Sequence, residues 1–109
     1  MWQPILIREF EEMLNEQKSQ LDGEAKFALA EFQVPIHTAI LRRTSTSGDE
    51  NVFVVASTND GVLYFDDVEN GFNFSPLDKD GRVREPGGSQ MNLADALHTW
   101  LVPKVGRGP

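Results

Sequence analysis

His37 and His98 are the only candidates by residue type for acid–base chemistry near neutral pH, since the chain holds two histidines and no cysteine. Neither stands in the spacing of a metal site or of a nucleophile signature. Asp95 precedes His98 by three residues, which on a helix brings the two to one side, a pairing that reads as structural rather than as an acid–base couple. Asp78-Lys79-Asp80-Gly81 opens like a calcium loop, but the glycine at the sixth position and the closing glutamate are not at the required places, so it reads as a hairpin turn. Gly87-Gly88-Ser89 precedes a helix start, where backbone N–H groups can receive an anion, yet no lysine follows and no phosphate-loop pattern is complete. No catalytic residue, metal ligand set or cofactor is expected, and the chain reads as a binding protein rather than an enzyme.

Recognition is the chemistry that the residues do offer. Asp66, Asp67 and Glu69 cluster within four positions, Phe72 and Phe74 follow, and Asp78 and Asp80 lie beyond. Carboxylates beside exposed aromatic surface engage Lys and Arg of a basic partner, giving steering and apolar anchoring together. Asp66, Asp67, Glu69, Phe72, Asp78 and Asp80 are therefore the expected partner-binding residues. The competing reading is a solvated loop whose charges keep a sheet edge from aggregating.

Composition points the same way. Seventeen acidic against ten basic residues give a net charge of −7, which opposes attraction to nucleic-acid phosphates and to anionic membranes and favours a basic protein partner. Acidity also serves solubility, so charge alone does not decide the matter. The lack of cysteine removes disulfides and thiolate chemistry. The opening Met1 to Ile7 lacks the basic leader and the long apolar core of a signal peptide, and no run approaches the ~20 apolar residues of a membrane span; a cytoplasmic location is expected.

The elements that must position these residues follow from periodicity. Leu6, Phe10, Met13, Leu14 and Leu21 recur at three-and-four spacing between Pro4 and Leu21, with Glu9, Glu12, Glu16 and Lys18 opposite, and Asp22-Gly23 supplies a stop. From Glu24 to Glu31 helix and strand signals compete; a strand is expected to begin near Lys26 and to continue through Val34, Ile36, Thr38 and Ile40 on one face, with Pro35 demanding a free edge. The polar run from Thr44 to Asp49 reads as a loop. Val52 to Ala56 and Val62 to Phe65 flank Asn59-Asp60-Gly61 and form a hairpin; Asn70-Gly71 and Asp78 to Gly81 mark further turns of an antiparallel meander. Asn92 to Asp95 opens a short closing helix with Leu93, Leu97, Trp100 and Leu101 as its apolar stripe and Pro103 as its end. The expectation is a single α+β domain over residues 1–103, with an N-terminal helix, four to five antiparallel strands and a short C-terminal helix in two layers, and a flexible tail over 104–109. One sheet face should be covered by the helices, and the other should meet solvent or a partner.

Taken as a whole, the leading amphipathic helix, the antiparallel meander and the closing helix from Asn92 to Leu101 in a small, acidic, cysteine-free chain resemble the immunity proteins of bacterial toxin-delivery systems. The resemblance implies a cytoplasmic antidote that covers the active site of a cognate toxin, often a nuclease with a basic substrate groove. The alternative from another class is a small acidic secretion chaperone, which the same outline also resembles and which would hold an extended effector segment as a dimer.

Overall fold

The computed structural model describes residues 6–42, 49–67, 69–84 and 90–105. Helices α1 (Ile7–Lys18) and α2 (Gly23–Phe32) lead into strands β1 (Gln33–Arg42), β2 (Asp49–Thr58), β3 (Gly61–Asp66), β4 (Gly71–Ser75) and β5 (Val83–Arg84). Helix α3 (Leu93–Ala96) follows and runs through a π-helical turn at Leu97–Leu101 into a 3-10 turn at Val102–Lys104. The α+β class and the element types at both ends are those expected. The roles expected of Pro4, of the polar loop over 44–48 and of Gly87-Gly88-Ser89 fall outside the described residues.

Helix α1 buries Phe10 and Leu14 and half-buries Met13 and Gln17, as the three-and-four spacing requires. The next segment corrects the expectation. Asp22-Gly23 does not stop α1 but starts α2, where Asp22 Oδ1 accepts the Ala25 N–H at 2.8 Å. Helix continues past Lys26 because Ala25, Ala28 and Leu29 form a buried helical stripe, whereas Phe27, on which the strand alternation depended, stays exposed.

The sheet order is β4-β3-β2-β1-β5, and β1 to β4 make the expected meander, each antiparallel to the next. Strand β5 is the departure, since Leu41–Arg42 of β1 pairs with Val83–Arg84 in parallel. The backbone N–H of Arg84 donates to the Pro76 carbonyl at 3.2 Å, the Ser75 hydroxyl donates to the Arg84 carbonyl, and Leu77 bridges Val83. Strand β5 thus ties one sheet edge to the chain leaving the other, and the sheet curls until its edges nearly meet.

Side chains alternate between two cores. Val55, Leu63, Phe65 and Phe72 face the helices together with Phe10, Leu29, Leu93, Leu97 and Leu101, while Val52, Val54, Val62, Tyr64, Leu41 and Val83 form a second cluster inside the curl. A register shift between Val54 and Ala56 lets Val55 and Ala56 both face the helices. A second shift, between Gln33 and His37, surrounds Pro35 and moves Val34 to the inner cluster while Ile36 packs toward the helices, so the single face expected for β1 is broken. The face expected to meet solvent is instead enclosed by the curled sheet, with Tyr64 fully buried there.

Lys104 and Val105, the last described residues, contact the rest of the domain. The Lys104 ammonium lies 2.6 Å from Asp60 Oδ2 and 5.6 Å from the centre of the Phe74 ring, and Val105 packs against the helical core. The 3-10 turn carries Pro103 within it rather than ending before it.

Candidate partner-binding surface

The β3–β4 connection is built around Asp66. Its Oδ1 accepts the Glu69 N–H at 3.4 Å, and Asn70 takes the left-handed conformation (φ 57°) that turns the chain into β4. Gly71 is needed for a close approach, because a Cβ there would lie 2.5 Å from the Cα of Gln90. The turn places Phe72 on the helix side of β4, where its ring stands 5.2 Å from Phe65 and 6.4 Å from Phe10.

Two of the six expected partner-binding residues are buried. Phe72 is wholly buried and Asp66 is 2% exposed. The pleat that fills the core with Phe65 and Phe72 turns Asp66 inward as part of its own turn, so neither offers an anchor to a partner. Asp67 and Glu69 are half-buried. Asp78 spends its Oδ1 on the N–H groups of Asp80 and Arg82, both at 2.9 Å, so its carboxylate shapes the hairpin turn. Asp80 is exposed on that turn, and Gly81 (φ 79°) closes it.

The structure adds Glu50 to this region. One oxygen from each of Glu50, Asp66 and Asp67 lies within 4.8 Å of the others, a donor set of the hard type that oxygen-seeking cations use. All three are already engaged in polar or electrostatic contacts. Counting pairs back from the Asn59-Asp60 turn sets residue 52 opposite 67, and the β2 irregularity shifts it to 66, so Glu50 reaches the site by a register that the sequence alone does not give.

A wider acidic surface lies on α1. Glu9, Glu11, Glu12 and Glu16 are all exposed, with Arg8 the one exposed cation of the helix. The inward side cannot rotate away, because Phe10 is stacked on Phe53 at 4.8 Å and Gln17 Oε1 accepts the Leu93 N–H at 2.7 Å. The carboxylates must then face outward. Leu6 and Ile7, at the start of the helix, add exposed apolar surface.

At the other end of the helical layer, Gly23, Glu24, Phe27, Val102 and Val105 line a groove of about 350 Å³. Nearby, His98 Nε2 lies 2.8 Å from Asp22 Oδ2, so His98 pairs with the N-cap of α2 rather than with Asp95. The Ala25 N–H, and then His98, hold the Asp22 carboxyl below its ordinary value. His37 is exposed, with Nδ1 2.9 Å from the Pro35 carbonyl. Among the described residues no helix is long and apolar enough to cross a membrane.

Comparison with protein-family models, with curated proteins and with solved structures finds no match to this chain.

Proposed function

We propose that this is a binding protein that neutralises a basic partner, acting as an immunity protein that covers the active-site surface of a cognate bacterial toxin, with a nuclease domain as the best chemical fit. The observation that carries this reading is the outward face of α1, where four carboxylates stand against one guanidinium on a helix roughly 18 Å long. In a chain of net charge −7, that face attracts a cationic groove at long range, and the carboxylates occupy it in place of substrate phosphates. Leu6 and Ile7, exposed by 64% and 47%, supply apolar contact that slows dissociation. Asp67 and Glu69, half-buried in the β3–β4 turn, and the exposed Asp80 of the turn after β4 add carboxylates elsewhere on the surface.

The test is protection in cells followed by kinetics. Toxin domains from the genome that encodes this chain are expressed with and without it, and growth should be restored against one of them. Association with that domain should slow about tenfold between roughly 50 and 300 mM salt. Full protection by the variant carrying Gln at positions 9, 11, 12 and 16, or an association rate indifferent to salt, would overturn the reading. The groove at Phe27 favours a second reading, a secretion chaperone that holds an effector segment in the cytoplasm. Such chaperones work as dimers, so a monomer by light scattering removes it.

A further inference from the structure

Helix α2 presents two different sides. Ala25, Ala28 and Leu29 are buried, while Glu24, Phe27, Ala30 and Glu31 share the exposed side at positions i, i+3, i+6 and i+7. Phe27 is 61% exposed, and among the described residues no element covers it; with Val102 and Val105 of the closing turn it lines the groove. Gly23 also lines the groove. A Cβ built there meets nothing within 4 Å, so the position has room for a larger side chain.

We infer that this groove seats an apolar side chain from a cationic segment of the partner, an inference that rests on the basic-partner reading above and gives it a specific anchor. Charge selects this occupant. Glu24 stands in the wall and Glu31 one helical turn beyond Phe27, so an apolar residue lodged against Phe27 has a carboxylate on each side of it, placed for flanking Lys or Arg. Among the described residues, Lys26 and Lys104 do not cancel this. Lys26 sits about 100° around the helix, and Lys104 is held by Asp60 and over Phe74. A second copy of this chain is disfavoured in the same site, because it would bring another −7 charge against the same carboxylates.

Peptides titrated into the isotope-labelled chain, followed by amide shifts, test this. The probe is Lys-Arg-Leu-Arg-Lys, with Glu-Asp-Leu-Asp-Glu and Lys-Arg-Ser-Arg-Lys as comparisons. Only the first should move the amides of Gly23, Phe27, Val102 and Val105. Phe27→Ala should weaken its binding about tenfold, and Glu24→Gln with Glu31→Gln about threefold with loss of salt dependence. Gly23→Leu, at a lining position where an added Cβ meets no atom within 4 Å, should weaken binding while leaving α2 folded. Equal binding of the acidic peptide, shifts that survive Phe27→Ala and Gly23→Leu, or shifts of these amides on concentrating the chain alone would each sink the groove. Shifts confined to α1 would sink the groove and leave the basic-partner reading standing, whereas no response to either cationic peptide would sink both.

Discussion

Asp22 joins two parts of the fold through one carboxylate, since Oδ1 caps α2 at the Ala25 N–H and Oδ2 meets His98 of the π-helical turn. Both contacts favour the charged form, so the carboxyl titrates below its ordinary 3.8 in the folded chain. The stabilisation is then complete above that ordinary value and is lost as pH falls through the lower folded one. Asp22→Ala should lower the melting temperature by a few degrees at pH 7, and the gap between variant and parent should close in melts recorded toward pH 2.5. A gap that stayed constant with pH would show that the charge is irrelevant to the cap. The cap was half legible in the sequence: Asp22-Gly23 reads as a boundary, but a helix end and a helix start share this dipeptide, and only the tertiary burial of Ala25, Ala28 and Leu29 decides between them. The burial of Asp66 and Phe72 was not legible for a related reason. Their types suit a recognition surface, but exposure is set by which way the pleat turns and by what α1 lays over it, neither of which is a property of the residues themselves.

At the scale of elements, α1 is fixed to the sheet chiefly by Phe10, whose ring lies 4.8 Å from Phe53, 5.4 Å from Phe65 and 6.4 Å from Phe72. Phe10→Ala leaves a void among three aromatic rings and should cost about 3–5 kcal/mol, read from urea unfolding. The β4 entry is as constrained. Gly71→Ala drives a methyl against the Gln90 backbone, which cannot yield as a flexible side chain would, so one or both strands of that contact must shift; about 2 kcal/mol or more of destabilisation is expected in the same assay. An unchanged urea midpoint for Gly71→Ala would mean that the segment at Gln90 moves freely. The hairpins and the α1 periodicity were readable because they are local signals, two-residue turns and one-sided stripes. The parallel β5, the curl it enforces and the second core around Tyr64 were not, because they depend on pairing Leu41 with Val83 across more than forty residues, and the turn signals say where strands end but not which edges meet.

For the whole molecule the question is where a charge of −7 sits and what it opposes. The curled sheet takes Asp66 inside and binds Asp78 into its own turn, and α1 carries Glu9, Glu11, Glu12 and Glu16 in solvent. Those four are exposed, whereas on the opposite side of the same helix Phe10 and Leu14 lie in the core and Gln17 accepts the Leu93 N–H. Replacing all four by glutamine removes four negative charges and takes the chain from −7 to −3. Glutamine keeps the helix propensity, so the circular dichroism spectrum should be unchanged. Stability should move little, because losing Glu9 near the positive end of the helix costs a few tenths of a kcal/mol while relief of self-repulsion returns a similar amount. Steering should respond far more. If α1 is the docking face, the variant associates with the basic toxin domain about tenfold more slowly at low salt and loses most of its salt dependence, while dissociation changes less because the apolar contacts at Leu6 and Ile7 remain. Stopped-flow association at two ionic strengths separates these effects. A variant that keeps the parent's association rate would place the docking surface elsewhere on the molecule, whatever its net charge.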